Sequence, residues 1–229
     1  MISLKPEIVF EIGNFHLTNT YLGASLAAAM ILLFSFIFKN KIREIPSKFQ
    51  SLLEIVFENF YNFWTNLTGV KNLKIFAFCF TFFIYILLSN WLGILPGFGS
   101  IYIKHHEEKI HLLRSAYSDL NMTLAMGLIS VLGANLLGLI KLKFNFVKKF
   151  MSPIGLMELF SEASKILSFS LRLFGNILAG EILILSVSLL IPFLVPIPFM
   201  LLEIFVGFIQ ALIFFTLTSI FLKVAISHH

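Results

Sequence analysis

The sequence predicts an all-α polytopic membrane protein with about five membrane segments and one amphipathic surface helix. Three observations predict it. Hydrophobic residues make up 58% of the 229-residue chain and charged residues 13%, where soluble domains have roughly 45–50% apolar and about 25% charged residues. Apolar runs of about 20 residues, the length that crosses a hydrocarbon core, recur five times. Basic residues gather in the short connections between those runs. The formal net charge of +5 therefore orients a membrane chain and does not mark a nucleic-acid surface. No repeat or low-complexity linker interrupts the pattern, so 1–229 reads as a single membrane domain.

The elements follow in order. A first span covers 17–38, and the segment before it lacks the basic region, apolar core and small-residue site of a cleavable signal peptide. Residues 46–68 read as a helix lying on the membrane surface or packed under the bundle. Phe49, Leu52, Leu53, Val56, Phe60, Phe63 and Trp64 recur at helical spacing there, with Lys48, Glu54, Glu58 and Asn62 between them. A second span covers 75–95 and a third 120–140. The single cysteine, Cys79, lies within an apolar run, so no intrachain disulfide forms.

Two long helices, 153–191 and 199–225, close the chain. A continuous helix over the first of these is about 58 Å long, nearly twice the roughly 30 Å hydrocarbon core. It must be steeply tilted, bent or extended beyond the bilayer, because ordinary tilts of about 20° do not absorb the excess.

Loop charges set the orientation. Lys39, Lys41, Arg43, Lys48, Lys71 and Lys74 lie between the first two spans, and Lys141, Lys143, Lys148 and Lys149 between the third and fourth. The loop after the second span has Lys104, Lys109 and Arg114 offset by Glu107 and Glu108. The positive-inside rule then puts the N-terminus outside and the C-terminus in the cytoplasm.

The fourth segment carries the chemistry. Measured from Arg172, Lys165 lies about 20° round the helix and Glu158 and Asn176 about 40°. These four form one polar stripe, while Glu181, about 180° away, faces elsewhere. On the last helix Glu203 and Gln210 share a face and can meet Asn176 and Glu181 if the two helices pair. Arginine stays protonated, so it acts as a fixed positive charge and not as a proton relay. A glutamate in apolar surroundings can take up and release a proton. A fixed cation flanked by carboxylates is the apparatus of an interrupted proton path. The alternative is a structural ion-pair network of Glu158 or Glu162 with Lys165 or Arg172.

The stretch "SLRLFGNILAGE" resembles subunit a of the rotary F-type ATP synthases, in the bacterial form. "IPSKFQSLLEIVFENFY", "LLSNWLGILPG", "SDLNMTLAMGL" and "GFIQALIFFTLTSIFL" resemble further segments of that family, in order, so the likeness covers nearly the whole chain. The resemblance implies a non-catalytic stator subunit of the membrane sector. It would give two half-channels to a rotating c-ring and couple proton flow to ATP synthesis. Arg172 would face the c-ring and block a direct leak between the half-channels. Asn176, Glu181, Glu203 and Gln210 would line the outward half-channel, with glutamate at both 181 and 203 as a two-carboxylate relay sharing one proton. Glu158, Glu162 and Lys165 are assigned to the inner half-channel, and Asp119 to the outer vestibule or to a cap of the third span. The last two helices would be tilted and curved around the c-ring.

Implied partners are the c-ring, the peripheral-stalk b subunits and membrane lipids, in a bacterial cell membrane or, less favoured, an organellar one. No cofactor, nucleic acid or direct ATP binding is expected, since no phosphate-cradling loop is present. His105, His106 and His111 read as a solvated loop or a metal site. Rival readings are Na⁺ as the coupling ion, a membrane scaffold, and an independent transporter that binds an anion at Arg172. The transporter reading predicts paired halves, which the sequence lacks.

Overall fold

The computed structural model describes residues 6–12, 15–95, 102–105, 108–142, 153–191 and 194–227. Helices dominate. They are α1 (Asn19–Lys39), α2 (Lys48–Thr68), α3 (Leu73–Ile94), α4 (Leu120–Leu142), α5 (Pro153–Leu190) and α6 (Pro196–Ser227). All except α2 are long and apolar enough to cross a membrane. The chain is thus an all-α polytopic membrane protein of five candidate spans and one amphipathic helix. Two short antiparallel hairpins, absent from the sequence reading, are added to this frame. They are β1 (Ile8–Ile12) with β2 (Phe15–Thr18), and β3 (Tyr102–His105) with β4 (Glu108–His111).

Local chemistry sets the boundaries. The Thr18 side chain accepts a hydrogen bond from Tyr21 N at the start of α1, Ser47 does so from Gln50 N at α2, and Asn72 from Lys74 N and Ile75 N at α3. Each satisfies a donor that the first helical turn leaves free. Pro153 and Pro196 open α5 and α6, where a missing N–H removes no helical bond. Gly69 ends α2 at φ 71°, a left-handed conformation in which a side chain is strained.

α6 lies at the centre, packed against α3, α4 and α5, with α2 crossing it. α1 rests on α3 and on a short 3₁₀ turn, Ala116–Ser118. The core between α2, α3 and α6 is aromatic. Phe60, Phe76, Phe80 and Phe83 surround Phe215 with ring centroids 5.9–6.4 Å from it, mostly edge to face, the arrangement the ring quadrupoles favour. The apolar stripe read on α2 divides. Trp64 is wholly buried and Phe60 packs inward, whereas Phe49, Leu52, Val56 and Phe63 stay open. Lys223 of α6 ties the end of α2 down by donating to the Leu67 carbonyl at 3.1 Å.

Glycines allow the closest helix contacts. A Cβ at Gly127 of α4 would meet Ser170 Oγ of α5 at 2.9 Å, and one at Gly207 of α6 would meet Asn90 Cβ of α3 at 3.2 Å. With no hydrophobic force between helices in lipid, this close backbone packing is what holds them.

Candidate functional site

The site is built on α5. One face of that helix, Phe169, Ser170, Leu173 and Ile177, is buried at intervals of three and four residues against α4 and α6. Ser170 Oγ donates to the Thr123 carbonyl of α4 at 3.1 Å, which fixes the rotation of α5. The opposite face is open. Only 17% of the α5 span is buried, against 44% of α3.

α1 is equally open, but its open side is Leu32, Leu33, Phe36 and Ile37, a surface that suits lipid. The open side of α5 holds a strip of Ser161, Ser164, Ser168, Arg172, Gly175 and Ala179, flanked by the exposed Phe160, Leu167 and Leu171. Along that strip small and hydroxylated side chains lie above and below the guanidinium. Arg172 Nη2 donates to Ser168 Oγ at 3.4 Å, and among the described residues no carboxylate forms an ion pair with it.

One polar cluster lies on the C-terminal side of Arg172. Arg114, just ahead of the 3₁₀ turn, pairs with Glu181 at 2.9 Å, both side chains being largely shielded at 12% and 22% exposure. This loop is pinned where a Cβ at Gly93 would meet Ser115 Oγ at 2.7 Å, so Gly93 lets the segment lie tight on the end of α3. Glu203 of α6 is buried, and its carboxylate rests directly on Gly180, where any side chain would collide with it. Glu203 therefore sits beside Glu181. Gln210 is buried about two turns further along α6. Asn176 is half-buried, and its amide nitrogen is enclosed without a hydrogen-bond partner among the described residues. The position of α6 is set by Asn90 and Trp91 of α3, which donate to the Gly207 and Ile204 carbonyls, each at 3.2 Å.

A second cluster lies on the N-terminal side. Lys165 Nζ pairs with Glu162 at 2.7 Å, the other Glu162 oxygen accepts from Asn135 of α4 at 3.1 Å, and Lys165 lies 4.6 Å above the Phe221 ring of α6. This corrects the stripe read from periodicity. Lys165 does not share the open face with Arg172, because its long stem swings toward a carboxylate three residues back and an aromatic ring. Asn176 turns partly inward as well. Glu158 is in the helix, but its side chain lies outside the described residues, as do the His105 side chain and His106. Asp119 takes the capping role of its two readings. It is buried and accepts from Asn121 N at 2.9 Å and from Thr20 Oγ1 at 3.4 Å.

Arg172 thus stands between two polar clusters whose centres, at 165 and 181, are about 24 Å apart along the helix axis. The clusters point into the bundle and the arginine points out of it. The family model for the ATP synthase A chain matches residues 22–223, which include both clusters, Arg172 and all or most of each of the six helices.

The chain belongs to the ATP synthase A chain family.

A curated relative of this ATP synthase A chain protein, ATP synthase subunit a of Gloeobacter violaceus, is 36% identical over 235 residues. That alignment covers 100% of this chain and 92% of the relative. Arg114 and Asn135 are the members of the two clusters that the sequence reading did not single out, whereas Gly180 is read there as a place for close helix packing and meets Glu203 of α6. Arg114 reads only as one of several loop charges. The signal that points to it is a membrane glutamate, Glu181, on the opposite side of its helix from the only arginine nearby in sequence.

Proposed function

We propose that this ATP synthase A chain protein is the stator-side proton channel of the membrane sector, non-catalytic in itself. The open polar face of α5, with Arg172 at its centre, carries the reading. A guanidinium among serines and small residues is costly against hydrocarbon, so this face is covered by a partner, and a rotating ring of c subunits bearing a carboxylate fits it. The small side chains let the ring approach closely, and the arginine keeps the passing carboxylate ionised and blocks direct leakage.

Protons enter from outside through the half-channel at Asn176, Glu181, Glu203 and Gln210. They ride the ring and leave beside the Lys165 cluster, with Glu158 and Glu162 lining that exit. Asp119 braces the outer half-channel by capping α4. Each proton falling through the membrane potential supplies about 2.3 kcal/mol per 100 mV, so several are needed per ATP. The N-terminus faces outward and the C-terminus the cytoplasm of a bacterial cell. Peripheral-stalk b subunits hold the chain against the torque of the ring.

Arg172→Ala tests the reading. In inverted vesicles carrying the complete enzyme, ATP-driven proton pumping is expected to fall to background while the c-ring still co-purifies. Normal pumping would make the arginine structural. Sodium-dependent ATP synthesis at constant proton-motive force would replace the proton with Na⁺.

A further inference from the structure

The connection between α1 and α2 carries charge that the rest of the chain leaves unmatched. Lys39, Lys41, Arg43 and Lys48 stand against one acid, Glu44, across residues 39–48. All five are exposed, and among the described residues none of the basic side chains forms an ion pair. Between them stand Ile42 and Ile45, at 65% and 86% exposure, apolar surface that water disfavours. The connection is held in place all the same. Gln50 is buried, its Oε1 accepts from Arg43 N at 3.2 Å, and its Nε2 donates to the Arg43 carbonyl at 2.9 Å. This two-point clamp keeps Arg43 beside the first turn of α2.

At 100° per residue α2 divides into three arcs. Gln50, Phe60 and Trp64 turn into the bundle, and Glu54, Glu58 and Asn62 form a polar edge. Phe49, Leu52, Ile55, Val56 and Phe63 lie within about 120° of one another and stay open. At the basic end of this arc Pro46, Lys48, Leu52 and Ile55 line an open groove of about 600 Å³, within the size range of small-molecule sites. A helix with an open apolar arc, a polar edge and a basic end lies in the plane of the membrane interface, its apolar arc among the acyl chains. The basic connection then stands at the height of the lipid headgroups.

We propose that this corner of the chain, residues 39–56, is a binding site for an anionic phospholipid. Lys41, Arg43 and Lys48 hold the charged headgroup, and the acyl chains run along Leu52, Ile55 and Val56. Charge complementarity selects the occupant. A zwitterionic lipid or an apolar partner helix would fill the arc and leave the cations unmatched. A soluble anion would match the cations and leave the arc in water. An anionic lipid satisfies both, and a cluster of four basic residues directly beside a membrane span suits its recognition. The proposal rests on the membrane fold and not on the channel reading, so its failure would leave the role of Arg172 untouched.

The test uses the complete enzyme with a bimane fluorophore at Asn59→Cys, an exposed position that continues the open arc one turn beyond Ile55. The unsubstituted enzyme, treated with the same reagent, gives the background. Each is reconstituted in phosphatidylcholine vesicles holding a rising fraction of phosphatidylglycerol or phosphatidylcholine with a quenching spin label on the acyl chain. Phosphatidylglycerol is expected to reach half-quenching at a mole fraction at least about fivefold lower than phosphatidylcholine, which is what about one basic residue contributes at an anionic surface. Lys41→Gln with Arg43→Gln and Lys48→Gln is expected to make the two lipids equal. Equal quenching without those changes would reduce the corner to ordinary boundary lipid and overturn the proposal. So would no quenching by either lipid, which would mean that a protein such as a stalk subunit covers the arc, and so would a preference that survives the triple variant. If the triple variant does not assemble, salt decides in its place. At about 1 M the reach of charge shrinks to about 3 Å, so the preference is expected to fall toward equality, and one that persists would overturn the proposal.

Discussion

Two arginines lie against membrane helices here and meet opposite surroundings. Arg114 is shielded and pairs with Glu181, whereas Arg172 is exposed and among the described residues reaches only a serine hydroxyl at 3.4 Å. The difference separates a charge neutralised within the chain from one that the proposed reading offers to a partner. At the same scale Gly180 matters for what it lacks. A Cβ there would lie 2.6 Å from Glu203 Cδ, so Gly180→Ala must displace the carboxylate. Because a shift of about 1 Å can cost up to about a hundredfold in a positioned step, Gly180→Ala is expected to slow ATP-driven pumping at least about tenfold per assembled complex. A pumping assay on complexes of equal c-ring content checks this. Arg172 and the two glutamates were legible in the sequence because an ionisable residue stands out in an apolar run. The Arg114–Glu181 pair was not, since its partners are 67 residues apart and only folding of the loop onto α3 joins them. Lys165 was misplaced for a related reason. Periodicity gives the direction of a Cα–Cβ bond, and a four-carbon stem can swing well away from it.

The helices themselves were readable because length and apolarity set them. α5 is 38 residues long and α6 is 32, and each opens at a proline that is visible in the sequence. The two hairpins were not, because strands of four or five residues with mixed polarity carry no period long enough to count. Helix packing makes a prediction of its own. Gly127→Ala sets a methyl group 2.9 Å from Ser170 Oγ and 3.0 Å from the Ile166 carbonyl, whereas Gly175→Ala meets nothing within 4 Å. Overpacking costs about 1–3 kcal/mol, and each kcal/mol shifts the midpoint by about 2–4 °C for a chain of this size. Thermal unfolding in detergent is therefore expected to show a lowered Tm for Gly127→Ala and an unchanged or slightly raised one for Gly175→Ala. Equal shifts would mean that the α4–α5 contact is not tight.

For the molecule as a whole, orientation is the property that loop charge predicts and contacts do not. The single cysteine, Cys79, is buried, so new cysteines can be read against a silent background. A membrane-impermeant thiol reagent is expected to label Lys41→Cys from the cytoplasmic side and Tyr102→Cys from the outside. The reverse pattern would invert the half-channels and the direction assigned to proton flow. Agreement with the 22–223 family match gives the fold a frame, but the match does not by itself say which side is which.

The open face of α5 also has a consequence for the life of the chain before it works. A copy inserted without its partner would hold a guanidinium and a row of hydroxyls against acyl chains, while the Leu and Phe face of α1 would rest there at ease. Such an orphan is poorly solvated by its own bilayer on one side only. On the proposed channel reading, the surface that serves ion transfer is therefore also one by which a solitary subunit differs from an assembled one.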